Sequence, residues 1–358
     1  MGPGPSNINA RVARALSAPL IGHLDPYFLE VMDEVVQMLR LVFQTKNRLT
    51  IPISGTGSAG MEAAFVNFIE PGDKAIIGIN GLFGQRMADI CQRLGAKVIA
   101  VEADWGRIVE PGSLTRALKA HADARVLAVV HAETSTGAWQ PLAELGEACA
   151  RSETLFLVDA VTSLAGCLVK VDEWRIDICY SGTQKCLSVP PGLAPLTVSD
   201  KAVQVLAGRK SKVSSWYLDL GLIMKYWGKE RVYHHTGPVS MIYALYEGLR
   251  LVLEEGLEER FARHRWVAEL LEERLNSLGF VYYAQPGYRL PMLNAVKPPK
   301  NLDIHHTRKR LLSQYNVELG GGLGPLKDKI WRIGLMGESA TKENVDYLAA
   351  ALAEIMNG

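Results

Sequence analysis

The chain has 358 residues, 48 % of them hydrophobic and 22 % charged, which fits a folded globular protein of about two domains and excludes a disordered or fibrous one. With 39 basic and 38 acidic side chains the net charge is +1, so no global field favours nucleic acid or an anionic membrane surface. Five cysteines (Cys91, Cys149, Cys167, Cys179 and Cys186) show neither a CxxC nor a Cys/His ligand spacing, which argues against a disulfide framework and against a bound metal.

In chain order, the short apolar run 49–54 predicts a strand, and 59–69 a helix ended by Pro71, Gly72 and Asp73. Strands follow at 74–79, 97–101, 126–130 and 155–158, the last ending at Asp159. Helices lie between them at 85–94 (closed by Gly95), 114–121 and 142–150. Shorter strands are read at 176–180 and 194–198. Continuous apolar strands alternating with helices predict an α/β fold with a mostly parallel sheet buried on both faces. Near Pro238 the pattern changes to long helices, 241–254 and 257–278, broken at Gly256. The remainder, with strands at 280–283, 292–296 and 330–334 and two more helices, reads as a smaller α+β domain. This predicts a large domain over residues 1–255 and a small C-terminal domain over 256–358. No apolar run reaches the ~18–20 residues needed to span a bilayer. The start, Met1-Gly2-Pro3-Gly4-Pro5, lacks the basic region and apolar core of a signal peptide, so a cytoplasmic location is expected.

Three stretches carry chemistry. Ser54-Gly55-Thr56-Gly57-Ser58-Ala59-Gly60 lies between a strand and a helix, where free N–H groups and glycines that allow close approach make an anion site. It also matches G-x-G-x-x-G, the dinucleotide fingerprint. A Rossmann unit wants an acid at the end of the next strand, and that strand ends Gly78-Ile79-Asn80, which argues against an NAD-dependent oxidoreductase. Asp159, at the carboxyl end of an apolar strand, points into the crevice where α/β sheets bind ligands; a helix cap is the plainer reading of such a residue. Lys185 follows a short strand and the polar turn Ser181-Gly182-Thr183-Gln184, and precedes Pro190-Pro191-Gly192; alone it would read as a solvated lysine.

Taken together, these residues resemble the class V aminotransferases of pyridoxal phosphate (PLP) fold type I, the aspartate-aminotransferase-like fold. They are most similar to the alanine–glyoxylate / serine–pyruvate aminotransferase subgroup. The resemblance covers nearly the whole chain and includes 2–6, 42–45, 78–86, 131–137, 159–161, 181–185, 233–236, 320–325 and 331–334. It implies a large domain with a mostly parallel seven-stranded sheet between helices, plus a small α+β domain. It implies that Lys185 forms the Schiff base with PLP and carries the proton during transamination, with Asp159 partnering the protonated ring nitrogen. Val161 would pack under the ring and Phe83 would stack on its other face. Thr56, Gly57, Ser58 and Gln184 would hold the phosphate. Thr134, with Ser135 as the near alternative, would contact the ring hydroxyl or the substrate. Arg332 would clamp the substrate carboxylate through its planar fork, and Gly4 and His23 would border the substrate. Tyr233 and Thr236 would reach the phosphate of a neighbouring subunit, which implies a homodimer with shared active sites. The expected partners are small amino acids and keto acids.

Chains of this kind usually carry residues ahead of Gly-Pro-Gly-Pro, whereas here the motif starts at Gly2. Cysteine desulfurases share the fold but use a histidine before the lysine, a histidine on the ring and a late reactive cysteine. This chain has Gln184 and Phe83 at the first two positions and no cysteine after Cys186. Ureidoglycine–glyoxylate aminotransferases are also similar, through Asp25-Pro26, 44–47, 133–137 and 184–190. In those, amides occupy the positions of His23 and Tyr233 to bind the ureido group. Alanine or serine as donor and glyoxylate or pyruvate as acceptor is therefore the preferred reading, with ureidoglycine as the alternative.

Overall fold

The computed structural model describes residues 1–357. The chain opens with α1 (Ala10–Leu16) and α2 (Pro26–Phe43). There follow β1 (Leu49–Ser54), α3 (Gly57–Val66), β2 (Lys74–Ile79), α4 (Leu82–Arg93), β3 (Lys97–Glu102), α5 (Pro111–Ala120) and β4 (Ala124–Val130). A two-strand hairpin, β5 (Ala132–Glu133) and β6 (Ala138–Trp139), precedes α6 (Ala143–Cys149), β7 (Leu155–Asp159), β8 (Ile178–Tyr180) and β9 (Leu193–Val198). Four helices come next: α7 (Asp200–Ala207), α8 (Leu220–Trp227), α9 (Val239–Glu255) and α10 (Leu257–Ser277). The last third adds β10 (Val281–Tyr282), β11 (Leu293–Lys297), α11 (Ile304–Tyr315), β12 (Gly320–Gly321), β13 (Trp331–Gly334) and α12 (Lys342–Asn357).

The main sheet has seven strands in the order β1-β9-β8-β7-β4-β2-β3. The pairs β2–β3, β2–β4, β4–β7 and β7–β8 are parallel, and β9 runs antiparallel to both β8 and β1. All strands but β9 therefore point the same way, and the carboxyl ends of β1, β2, β4, β7 and β8 share one edge. That edge is where open α/β sheets bind ligands. The strands β4 and β7 are buried along almost their whole length, as the unbroken apolar runs require, and α3, α4, α5 and α6 pack against the sheet.

Four helices have no counterpart in the sequence reading: α1, α2, α7 and α8. The largest, α2, is 18 residues long, with Asp25 capping it by accepting from Tyr27 N–H, Pro26 in the first turn, and a buried stripe of Phe28, Val31, Met32, Val35 and Leu39. This is the i, i+3, i+4 spacing of an amphipathic helix. Helices α3, α4 and α5 each start two or three residues earlier than read, at Gly57, Leu82 and Pro111. In α3 and α4 this moves site residues from the preceding loops into the first turn of a helix.

The smaller sheet, β10-β11-β13-β12, is antiparallel and gathers a second apolar core around Val267, Leu271, Trp331 and Leu348. The N-terminal residues lie against this sheet. Gly334 N–H donates to the Met1 carbonyl at 2.8 Å, and a Cβ on Gly320 would lie 2.5 Å from Pro3 Cδ. Between α9 and α10 the chain turns at Gly256, with φ +86°. Just beyond, the buried Arg260 reaches back to the carbonyls of Ala165 (3.1 Å) and Cys186 (2.6 Å), and so ties α10 to the backbone next to Lys185. All five cysteines are buried and free. Among the described residues, no helix is long and apolar enough to cross a membrane.

Candidate active site

At the shared carboxyl edge is a cavity of about 210 Å³. Among its lining residues are Gly57, Ser58, Phe83, Thr134, Asp159 and Val161, joined by Gln184 and Lys185. Gly57 and Ser58 follow β1, Phe83 follows β2, Thr134 lies in the β5–β6 hairpin, Asp159 and Val161 lie at the end of β7, and Gln184 and Lys185 follow β8. Asp159 closes β7 and pairs in register with Val130 of β4 and Tyr180 of β8. Its carboxylate accepts from Val161 N–H (2.8 Å) and from the Tyr180 hydroxyl (2.8 Å). Asp159 is 3 % exposed; burial pushes its carboxyl up to about 6, against the pull of those two hydrogen bonds and of the Lys185 charge.

Lys185 lies in the turn after β8, with 8 % exposure. Burial, and then the nearby Arg332 charge, bring its ammonium down to about 8. Its Nζ donates to the carbonyl of Pro3, and a Cβ on Gly4 (φ +104°) would stand 2.7 Å from that Nζ. Ser6 fastens the segment by donating its N–H to Gln184 O (2.8 Å) and its hydroxyl to Lys185 O (2.7 Å). The Gly-Pro-Gly-Pro stretch is thus a strap across the lysine, and the glycine at position 4 is needed for its close approach.

The β1–α3 turn gives the cavity its anion-binding end. Thr56 is the N-cap of α3 but makes no side-chain cap hydrogen bond, so the first-turn N–H groups around Gly57 and Ser58 are offered outward. A Cβ on Gly57 would sit 3.2 Å from Val161 and 3.5 Å from Gly182, so the helix start is pressed onto the residues that flank Asp159 and Lys185. Gln184 Oε1 is buried without a hydrogen-bond partner, and the amide turned over would present its NH2 to an anion in the cavity. Arg86, not singled out from the sequence, also lines the cavity. Its Nη1 is 3.3 Å from Ser58 Oγ, and its Cζ lies 4.9 Å from the centre of the Phe83 ring. The signal was available: Arg86 falls three residues after Phe83 on one helix, hence on the same face.

Thr134 and Ser135 divide their tasks. Thr134 lines the cavity and shares a 2.6 Å hydrogen bond with Thr162. The Ser135 hydroxyl is occupied, donating to Glu133 and accepting from Leu82 N–H, so Thr134 is the one that faces the cavity. Arg332, on β13, is held by the Gly321 carbonyl (2.7 Å from Nε) and by the Thr134 carbonyl (3.4 Å from Nη1), with no carboxylate within ion-pair distance among the described residues. Burial brings its guanidinium down to about 10, which leaves it charged at neutral pH.

His23, Tyr233 and Thr236 do not join this cavity. His23 and Thr236 line a separate surface hollow with Leu20 and Gly22. The His23 and Tyr233 rings are 5.3 Å apart, and Tyr233 is 58 % exposed. They belong to a chain of touching rings that runs from His23 to Tyr226, His235, His234 and Trp216.

A buried acid and an amine of lowered basicity, an anion-binding helix start, a ring platform and a half-satisfied guanidinium fit a planar, anionic cofactor with an amino-acid substrate. The family description "Aminotransferase class-V" matches residues 6–348. The chain is 42 % identical to the (S)-ureidoglycine–glyoxylate transaminase of Bacillus subtilis, over 99 % of this chain and 90 % of that one. It is also 42 % identical to the alanine–glyoxylate aminotransferase of Oryctolagus cuniculus, over 99 % of this chain and 92 % of the other. The crystal structure of an alanine–glyoxylate aminotransferase from Nostoc sp. superposes with a TM-score of 0.97 at 48 % identity, covering 99 % of this chain and 94 % of that one.

Proposed function

This chain belongs to the class V aminotransferase family, and on that footing we propose that it moves an amino group between alanine or serine and glyoxylate or pyruvate, with PLP held at Lys185. It is an aminotransferase of PLP fold type I, and its cofactor is PLP. The observation that carries the site assignment is the convergence of Lys185 and Asp159 on one buried cavity, each shifting the other's charge. When bound, PLP supplies an electron-withdrawing ring that takes up the negative charge left as a proton leaves the substrate Cα.

The chain's own residues do the rest. Near neutral pH the Lys185 Nζ, with its basicity lowered to about 8, has an appreciable neutral fraction, so it can act as nucleophile and then take and return the substrate proton. Asp159, raised only to about 6, is largely ionised there and supplies the charge that favours a protonated ring nitrogen. The first turn of α3, the hydroxyls of Thr56 and Ser58, the Gln184 amide and the Arg86 charge would hold the phosphate. Phe83 and Val161 would flank the ring, Thr134 would offer its hydroxyl, and Gly4 in the strap limits the room beside Lys185. Arg332 binds the carboxylate common to amino donor and keto acceptor.

Tyr233, Thr236 and His23 act in the site of a second copy of the chain. Tyr233 projects from an exposed aromatic surface with Trp216 (64 % exposed) and Tyr217 (44 %), which suits a homodimer interface rather than a monomer's exterior. We divide the chain at Gly256, into residues 1–255 and 256–358, a division supported by the apolar core around Val267, Leu271, Trp331 and Leu348 in the second part. A cytoplasmic location accords with five unpaired cysteines.

Two experiments test the reading. The purified protein should be yellow, with a band near ~410–430 nm, and borohydride should fix PLP to Lys185 in a peptide map; attachment elsewhere ends the assignment. A donor panel of alanine, serine, ureidoglycine and 3-hydroxykynurenine against glyoxylate tests the substrate. The equal identity to the Bacillus subtilis transaminase keeps ureidoglycine as the second reading. Neither His23 nor Tyr233 carries an amide, which favours alanine or serine; turnover with ureidoglycine alone would reverse that preference.

A further inference from the structure

Phe83 reaches the cavity from the first turn of α4, and that turn needs partners for N–H groups that no residue inside the helix can bond. Its N-cap position is Gly81, which has no side chain, and no local side chain caps the helix. The partners come from the β5–β6 hairpin. Glu133 Oε2 accepts from the N–H groups of Phe83 (3.1 Å) and Gly84 (3.4 Å), and Ser135 Oγ accepts from Leu82 N–H (3.0 Å). The other carboxylate oxygen accepts from the N–H (3.0 Å) and hydroxyl (2.6 Å) of Ser135, which fixes the Glu133 rotamer. Glu133 has 0 % exposure. A Cβ on Gly81 would collide with its carboxyl and lie 2.5 Å from Ser135 Oγ. Gly81 is fully extended, with φ 176°, so glycine is required there by this contact and not by backbone conformation.

We propose that Glu133 is a positioning residue that holds the Phe83 ring against the cofactor by clamping the first turn of α4 from the β5–β6 hairpin. Negative charge at a helix N-terminus is favourable, and it offsets part of what burial costs the carboxylate. Burial raises this carboxyl to about 7, with the Ser135 bonds pulling it back down. The residue between the two clamping side chains is Thr134, whose hydroxyl lines the cavity and whose carbonyl receives Arg332. One three-residue stretch thereby ties together the ring platform, the cavity hydroxyl and the guanidinium. The inference rests on the reading that PLP occupies the Lys185 cavity.

The test uses full-length holoenzyme carrying Glu133→Gln or Glu133→Ala, each with and without Phe83→Ala. PLP retention on dilution and the visible circular dichroism of the bound cofactor are the readouts. Phe83→Ala should weaken retention about fivefold, the worth of one aromatic stack. Glu133→Ala should weaken it by no more than that factor and alter the dichroic band. Glu133→Gln, which keeps an acceptor for Phe83 N–H, should stay within about twofold of the unmodified protein. In the Phe83→Ala background, Glu133→Ala should add less than about twofold, because it acts through the ring. Where Glu133→Ala does not fold, Ser135→Ala carries the same expectation, with a smaller loss that also disappears in the Phe83→Ala background. Equal losses in both backgrounds, or unchanged retention in Glu133→Ala or Ser135→Ala, overturn the proposal. Failure of borohydride to attach PLP to Lys185 in the unmodified chain would instead defeat the parent reading, whatever the variants show.

Discussion

Two regions of this molecule carry the residues expected to serve a shared site, Tyr233 and Thr236 being expected to reach it from a neighbouring chain, and the fold treats the two regions in opposite ways. The Lys185 cavity is buried and cross-braced, with Asp159 held by Val161 and Tyr180, Arg332 by two carbonyls, and the lysine strapped by Pro3. The His23–Tyr233–Thr236 group is aromatic and partly exposed and lines none of that cavity. Strand ends make a rigid site within one chain because the sheet fixes their mutual register. Loop residues that serve the same chemistry can lie outside it only if another copy of the chain supplies the missing cavity.

The sharpest way to break this comparison is at its centre. Lys185→Ala should lower transamination on the order of 10⁴-fold or more, since nucleophile and proton carrier vanish together, while far-ultraviolet circular dichroism stays unchanged. Retained turnover would move the site out of the cavity.

A second expectation concerns cofactor-free protein and follows from burial of the amine. The folded chain releases the Lys185 proton near pH 8, the unfolded chain near its ordinary 10.5. Between those values the unfolded state binds more protons, so stability from this group rises with pH and is lost as pH falls through 8. Urea unfolding should show the unmodified protein gaining up to about 3 kcal/mol over Lys185→Met across that window. Parallel pH profiles for the two would mean that the amine is solvated.

Arg332→Lys comes next. Replacing a planar fork by a point charge should cost about 30-fold in kcat/KM, mostly through KM for amino and keto acids, with PLP retention unaltered. A fall in kcat alone would remove Arg332 from substrate binding.

The smallest effect bears on the surface region. Tyr233→Phe should loosen PLP about tenfold if its hydroxyl reaches a neighbour's phosphate. Mixing Lys185→Ala chains with Tyr233→Phe chains should then rebuild one unaltered site per mixed dimer, because the lysine and the tyrosine of that site come from different copies. Absence of such recovery would place Tyr233 beside its own lysine and dissolve the contrast between the two regions.

Several features were legible from local pattern alone. The unbroken apolar runs announced β2, β4 and β7, and the break at Gly256 separated α9 from α10. Other features carry an equally local signal outside the elements read from the sequence. Helix α2 has a cap at Asp25, a proline at its start and a periodic apolar stripe, and Arg86 lies one helical turn beyond Phe83. Glu133 was of another kind. A glutamate in a polar hairpin reads as solvated, and nothing near it in sequence shows that Gly81 leaves a helix end uncapped some fifty residues earlier. The choice between Thr134 and Ser135 was equally closed to sequence, because it depends on which hydroxyl the Glu133 carboxylate engages.

By itself, the sequence determined the class of fold, since hydrophobic period is a local property that survives without coordinates; Lys185 and Asp159 stood out only through the family resemblance, because each alone reads as a solvated lysine or a helix cap. Tertiary structure alone decided which groups share a cavity, which lie on an outer face, and what holds the Phe83 ring. Those outcomes depend on strand direction, on register and on partners far apart in the chain, and it is folding that brings such partners within hydrogen-bonding distance.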